Sequence, residues 1–98
     1  MNIKEKRDGK TLNVEINGRV DSVTAPKLSE YLKESIKDVE DLRIDFSGVD
    51  YVSSAGLRVL IFAQKTMDKQ GSLVLTGVND DIKDTLELTG LLDILTIK

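Results

Sequence analysis

The sequence predicts an α/β fold with a mixed, mostly parallel sheet, helices packed on the sheet, and elements in the order β-β-α-β-α-β-α-β. The 98 residues fall within the size range of one domain. Segments of strand length alternate with longer segments of helical period. No linker, repeat or low-complexity segment divides the chain. Strands separated by single helices run mostly parallel through right-handed crossovers, so we expect one domain over residues 1–98.

The first two strands are predicted to form an antiparallel hairpin at one edge of the sheet. "TLNVEI" alternates apolar and polar residues, which is typical of a half-buried strand. The more charged "NIKEKR" precedes it, and charge suits an edge strand. Asp8-Gly9 is a favoured two-residue hairpin turn and should join the two strands.

The first helix is predicted in "TAPKLSEYLKESIKD". Pro26 is tolerated only in the first turn of a helix, and Thr24 before it can act as the N-cap. The apolar residues of this segment recur at helical spacing and define the buried face. Lysines and glutamates alternate on the opposite face, which indicates a solvated surface.

The second half of the chain predicts three more strands separated by two helices. "LRIDFS" alternates, and "GLRVLIFAQKTMDKQG" is too long and too rich in helix formers for a strand. "SLVLT" is continuously apolar, as expected for a central strand covered on both faces. "NDDIKDTLELTG" begins with an Asn cap and ends in glycine, and "ILTIK" is interpreted as a last strand.

The composition excludes several classes of function. The net charge of −3 argues against nucleic-acid binding, which normally requires a basic face. Cysteine and histidine are absent, which removes the thiolate nucleophile and the commonest general base and metal ligand. We therefore expect no metal site and no cofactor. No apolar signal region or membrane-spanning run is present, so we expect a cytoplasmic protein without membrane contact.

Polar residues follow the second and third strands at the edge of the sheet where ligand and regulatory sites usually lie. In a parallel sheet this edge is formed by the carboxyl ends of the strands. Asp21 follows the second strand, and Ser53 and Ser54 follow the third. We expect these three residues to share one rim. A turn or cap before the first helix is an equally good interpretation of Asp21.

The residues alone allow three roles for Ser53 and Ser54. Serine is a preferred helix N-cap, stabilising by about 1 kcal/mol relative to alanine, and capping is the simplest interpretation. A nucleophilic serine needs a base, and this chain has no histidine and no G-x-S-x-G elbow, which disfavours a small serine-dependent hydrolase. Phosphorylation is the third role. A helix N-terminus tolerates the roughly −1.5 to −2 added charges, whereas a docked partner would be repelled.

Three segments of the chain together resemble the STAS domain family, and more narrowly its stand-alone anti-sigma factor antagonists: "NGRVDSVTAPKL", "VDYVSSAGLRVLI" and "LELTGLLDILTI". The resemblance covers essentially the whole chain in the same order. It implies a protein that has no catalytic activity of its own, and we expect this protein to be a monomer. The unphosphorylated antagonist would bind an anti-sigma factor that is also an ATP-dependent serine kinase, and so free the sigma factor. Phosphorylation would end this binding, and a serine phosphatase would reverse it.

The resemblance also implies which residues form the site. The phosphoacceptor lies two residues before the motif glycine, here Ser54 before Gly56, with Ser53 as the second choice. Ser53 stands where many relatives carry an acid. Arg58 stands where many have a small residue, and it could bond a phosphate or a carboxylate of the partner. Asp21 matches the acid on the partner-binding rim.

Helical periodicity adds one candidate that the resemblance does not supply. At 100° per residue, Phe62 shares a face of the second helix with Arg58 and two lysines, opposite the core side. We predict that Phe62 is a partly exposed anchor for the partner, the alternative being an aromatic ring covered by a neighbouring element. A STAS subunit of another assembly, such as a lipid-transport or signalling complex without a kinase, remains the alternative function.

Overall fold

The computed structural model describes residues 1–98 and contains a four-stranded sheet, three α-helices and a 3₁₀ turn. The strands lie in the order β1-β2-β3-β4, with β1 antiparallel to β2 and the other neighbours parallel. The predicted mixed, mostly parallel sheet with an N-terminal hairpin is confirmed. The elements in chain order are β1 Asn2–Asp8, β2 Thr11–Val20, α1 Ala25–Ser35, β3 Asp41–Val52, α2 Ser54–Asp68, β4 Ser72–Thr76, α3 Asp80–Leu88 and the 3₁₀ turn Leu91–Asp93.

The core lies between one face of the sheet and the helices. Both parallel crossovers step in the same direction across the sheet, and right-handed crossovers of that kind place their helices on the same face. On β3, Leu42, Ile44 and Phe46 are fully buried, while Arg43 between them is exposed. The core is aliphatic apart from Phe46, the one aromatic side chain in it. None of the helices is long and apolar enough to span a membrane.

The prediction that "SLVLT" forms a central strand covered on both faces is wrong. It forms β4, the last strand of the sheet, in which Leu73 and Leu75 are buried and Val74 between them is only half-buried. Because the helices cover one face only, half of each strand faces solvent. The three consecutive apolar residues of β4 therefore do not indicate burial on both faces of the sheet.

The predicted last strand is reduced to a single bridge. The amide of Leu75 donates to the carbonyl of Thr96 at 2.9 Å, and the amide of Lys98 donates to the carbonyl of Leu75 at 2.9 Å. Leu91 and Leu95 are both buried, and the chain coils through the 3₁₀ turn Leu91–Asp93 before it reaches the sheet. Only the final residues remain available for pairing.

The hairpin turn lies one residue later than predicted. Asp8 pairs with Thr11, so the two loop residues are Gly9 and Lys10, and Gly9 has φ +60°. A positive φ at the first loop position of a hairpin favours glycine, because other residues are strained there. The turn still makes β1 the antiparallel edge strand.

Candidate functional site

The carboxyl ends of β2 and β3 meet at one point of the sheet. Val20 and Val52, the last residues of the two strands, are partners in the parallel register. The amide of Ser53 donates to the carbonyl of Val20 at 2.8 Å. Asp21 and Ser53 are each the next residue of the chain, so the two predicted loops share one rim. We use "the rim" for Asp21, Ser53 and Ser54 together.

The structure separates the roles of the two serines. Ser53 is the N-cap of α2, with extended backbone (φ −86°, ψ 175°), and its Oγ accepts a hydrogen bond from the amide of Gly56 at 3.4 Å. Ser54 is the first residue of the helix, and it is exposed. Its hydroxyl makes no hydrogen bond within the chain. The capping interpretation therefore applies to Ser53 and leaves the Ser54 hydroxyl open to solvent.

Gly56 places the start of α2 close against the sheet. It is buried, and a Cβ atom added there would lie 2.8 Å from Cγ1 of Val20 and of Val52, and 3.0 Å from the carbonyl oxygen of Val20. A real Cβ would force these atoms apart. The expectation of a partner-binding Gly56 stays a prediction, and the close packing gives this glycine a positioning role as well. The close packing of this glycine sets how near Ser53 and Ser54 lie to the ends of β2 and β3.

The carboxylate of Asp21 organises the loop between β2 and α1. Its Oδ1 accepts hydrogen bonds from the amides of Thr24 and Val23, each at 3.0 Å. These backbone bonds, that of Thr24 first, hold the pKa of Asp21 below its ordinary value of 3.8. Oδ2 lies 3.7 Å from Nε of Arg19. Asp21 is therefore a fixed negative charge on the rim, and its half-buried position leaves part of the carboxylate accessible.

Thr24 does not cap α1 with its side chain, contrary to the prediction. The helix begins at the next residue, but the Thr24 hydroxyl donates to the carbonyl of Arg19 at 2.7 Å and accepts from the amide of Asp21 at 2.9 Å. Thr24 has helical backbone (φ −90°, ψ −25°) instead of the extended backbone of a capping residue, and its side chain bonds back into the loop. The two residues fix the loop together.

Three residues that the sequence analysis did not single out, Arg19, Val23 and Tyr51, surround the rim. The guanidinium carbon of Arg19 lies 4.5 Å from the ring centroid of Tyr51, which is a cation–π contact. Tyr51 is 44% exposed and Val23 is 72% exposed. Exposed tyrosine, arginine and aliphatic side chains around a rim are typical of a protein-binding surface. In the sequence, these residues could have been found because Val23 is apolar in a loop and Tyr51 is aromatic at the end of a strand.

Arg58 and Phe62 lie on the outer side of α2, as the periodicity predicts. Val59, Leu60, Ala63 and Met67 form the buried side of the helix. Arg58 is exposed and forms no ion pair, while Phe62 is half-buried, with Nζ of Lys33 from α1 lying 5.8 Å from its ring centroid. Phe62 is thus partly accessible, and part of its ring is covered by the Lys33 side chain.

The rim carries neither a hydrogen-bonded base nor a cluster of metal ligands. The Ser54 hydroxyl has no base in hydrogen-bond contact, which nucleophilic catalysis requires. No group of three or more carboxylates is placed to hold a metal ion. The features that the rim does present are an open hydroxyl at a helix N-terminus, a fixed carboxylate and accessible aromatic and aliphatic side chains.

Comparison with known proteins gives consistent results. The model of the STAS domain matches residues 2–98. The anti-sigma-B factor antagonist of Listeria monocytogenes serovar 1/2a is 41% identical over 98 residues, which cover 98% of this chain and 85% of the relative. The anti-sigma-B factor antagonist of Bacillus subtilis strain 168 is 35% identical, with 99% and 90% covered.

Solved structures share the same fold. An anti-sigma factor antagonist from Mycobacterium paratuberculosis superimposes with a TM-score of 0.88 at 24% identity, covering 98% of this chain and 83% of that one. The Bacillus cell fate determinant SpoIIAA, solved in the phosphorylated form, superimposes with a TM-score of 0.68 at 13% identity, covering 99% and 91%. At these identities the likeness establishes the fold alone.

Proposed function

Because the chain belongs to the STAS domain family, we propose that it is an anti-sigma factor antagonist, a regulatory binding protein and not an enzyme. Its unphosphorylated form binds an anti-sigma factor and so releases a sigma factor. The names of the relatives at 41% and 35% identity, matched over nearly their whole length, support this function. The accessible rim and the absence of an activated nucleophile agree with it.

The observation that supports a phosphorylation switch is that the Ser54 hydroxyl is free while the hydroxyl of the adjacent Ser53 is engaged in the helix cap. We propose that the anti-sigma factor is also a serine kinase that phosphorylates Ser54 from its own bound ATP. The Ser54 Oγ–P bond forms as the bond between the γ-phosphorus and the β,γ-bridging oxygen breaks. ADP leaves, and the hydroxyl proton passes to a base of the kinase. A serine phosphatase restores the hydroxyl by hydrolysing the Oγ–P bond.

Phosphorylation at this position changes docking far more than folding. Ser54 is exposed, so the phosphate extends into solvent, and the N-terminus of α2 favours its negative charge by about 0.3–1 kcal/mol. The added charge is roughly −1.5 to −2 at pH 7. In contact with a docked partner, like-charge juxtaposition costs several kcal/mol. The phosphate therefore blocks the partner without unfolding the antagonist.

The docking surface in this account is the rim with Arg19, Val23 and Tyr51 around it. Asp21 supplies the fixed negative charge, and Tyr51 supplies an accessible aromatic anchor. The partner covers Ser54 as it docks, which brings the hydroxyl to the kinase. Binding and modification thus use the same surface, and the reaction takes place in the cytoplasm between monomeric antagonist and kinase.

The test combines mass measurement with two adjacent alanine variants. The protein is incubated with ATP and the purified anti-sigma factor of its own source organism, and its intact mass is recorded. Wild type and Ser53→Ala should gain one phosphate, and Ser54→Ala should gain none. A phosphate on Ser53 would contradict the assignment. No phosphate on any serine, with a kinase proven active, would favour a STAS subunit that works without a kinase.

A further inference from the structure

The outer face of α2 carries a row of cations that no acid neutralises. Arg58, Lys65 and Lys69 are exposed and lie within about 40° of one another around the helix axis. None of them takes part in the ion pairs of the structure, which involve Lys10, Arg19, Lys37 and Arg43. We call Arg58, Lys65 and Lys69 "the basic row". It extends about 16 Å along the helix.

The surroundings of the basic row strengthen its positive potential. Asp68, the one acidic residue in α2, lies about 60° around the helix axis from Lys65 and one turn after it. It forms no ion pair, and its Oδ1 accepts a hydrogen bond from Nε2 of Gln64 at 2.8 Å. Lys33 of α1 adds a fourth cation, because its Nζ lies 5.8 Å from the ring centroid of Phe62. The half-buried Phe62 ring thus lies at the middle of the row, beside the ammonium group of Lys33.

The outer face of α1 shows what an ordinary solvated helix face looks like in this protein. Lysines and glutamates alternate there, and Nζ of Lys37 lies 3.1 Å from Oε2 of Glu34. A face of mixed charge produces little field at a distance, whereas a face of one sign attracts an oppositely charged partner. The basic row stands out further because the whole chain has a net charge of −3.

We propose that the basic row, with Phe62 at its middle, binds an acidic surface of the anti-sigma factor that continues from the rim. This rests on the proposed function and specifies the chemistry of the partner. Ser54 lies at the N-terminal end of the same face, one turn before Arg58. A phosphate there places about −1.5 to −2 charges at the head of the row. It offsets much of the positive charge and repels the acidic partner.

The charge distribution favours an acidic protein surface over a nucleic acid. Outside the four cations the molecule is more negative than its net charge of −3, so an extended polyanion would meet repulsion beyond the row. A row about 16 Å long matches three turns of a partner helix or a short acidic loop. The partly accessible aromatic ring at its middle suits a protein contact with an apolar centre.

The test compares two charge reversals of equal size at different places. Lys65→Glu/Lys69→Glu reverses the row and leaves the rim untouched. Lys6→Glu/Lys83→Glu changes the net charge equally, at two exposed lysines that form no ion pair and lie on β1 and α3. Binding of each variant to the anti-sigma factor is measured at low and high salt, and thermal unfolding verifies that both remain folded. Lys65→Gln/Lys69→Gln is the milder second variant.

We expect the row reversal to raise the Kd about tenfold at low salt, since exposed charge pairs are each worth a few-fold. The association rate should fall, and the difference should shrink at high salt. The Gln variant should lose a few-fold, and the control should stay within about twofold of wild type. If wild type binds and the row reversal matches the control, this inference is wrong and the proposed function stands.

Two other outcomes also decide the matter. If wild type does not bind the anti-sigma factor at all, the proposed function fails, and this inference fails with it. A duplex DNA probe distinguishes the nucleic-acid alternative. If wild type binds this probe, the row reversal abolishes that binding, and anti-sigma factor binding is unchanged, the row serves nucleic acid and the inference is overturned.

Discussion

Ser53→Ala should lower the stability and leave phosphorylation intact, whereas Ser54→Ala should leave the stability unchanged and abolish phosphorylation. The cap bond from the Gly56 amide to Ser53 Oγ is long, at 3.4 Å, so we expect Ser53→Ala to lose about 0.5–1 kcal/mol, the lower part of the range for caps. In a domain of this size about 4 °C of Tm should be lost. Ser54 makes no such bond, and Ser54→Ala should lie within about 0.5 kcal/mol of wild type.

A second helix cap, Asn79 at the start of α3, calibrates the measurement. Oδ1 of Asn79 accepts from the amide of Ile82 at 2.8 Å, and its Nδ2 donates to the carbonyl of Val49 at 3.3 Å. Asn79→Ala should therefore lose more than Ser53→Ala, about 1–2 kcal/mol. Urea unfolding gives the free energies, and intact mass after incubation with ATP and the anti-sigma factor gives the phosphorylation. If Ser54→Ala loses as much stability as Ser53→Ala, the division of roles between the serines is refuted.

Four shorter predictions concern the remaining site residues. Gly56→Ala should lose about 1–2 kcal/mol in urea unfolding, because overpacking of about 1–3 kcal/mol outweighs the gain in helix propensity; an unchanged stability would contradict the close packing. Because the pKa of Asp21 is lowered in the folded state, its carboxylate stabilises the fold above pH 3.8, and this stabilisation is lost as the pH falls through the folded pKa. Asp21→Asn should therefore flatten the acid limb of a curve of stability against pH, and an unaltered limb would contradict this role of Asp21. In the Ser54 phosphoprotein, Arg58 should hold the second phosphate pKa below about 6, and ³¹P titration of the Arg58→Gln phosphoprotein should give a higher value; equal values would exclude the contact. Phe62→Ala should raise the Kd for the anti-sigma factor about tenfold in a binding titration, and unchanged binding would remove it as an anchor.

The strands and helices were predictable because their signals are local. Alternation along β2 and β3 and helical spacing along α1 and α2 identified these elements. The Asn79 cap and the Ser53–Ser54 joint were also recognisable from residue type. The shared rim followed from topology alone, since consecutive parallel strands end at the same edge.

The parts that the sequence did not predict depend on contacts between distant residues. Tyr51 meets Arg19 through the β2–β3 register, which shifts between Gly18 and Arg19. No local pattern contains that shift. At the C-terminus, the spacing of Leu91 and Leu95 suits a coil as well as a strand, and the core selects the coil. Thr24 has helical backbone, and its hydroxyl bonds the Arg19 carbonyl and the Asp21 amide instead of capping α1.

The measurement that tests the central claim most directly is the affinity of the anti-sigma factor for this protein with and without phosphate on Ser54. Both forms are prepared from one sample, and the phosphorylated form is measured again after phosphatase treatment. Repulsion of several kcal/mol predicts that phosphorylation weakens binding by about 100-fold or more, and that dephosphorylation restores it. Equal affinity of the two forms would contradict the claim that Ser54 switches docking.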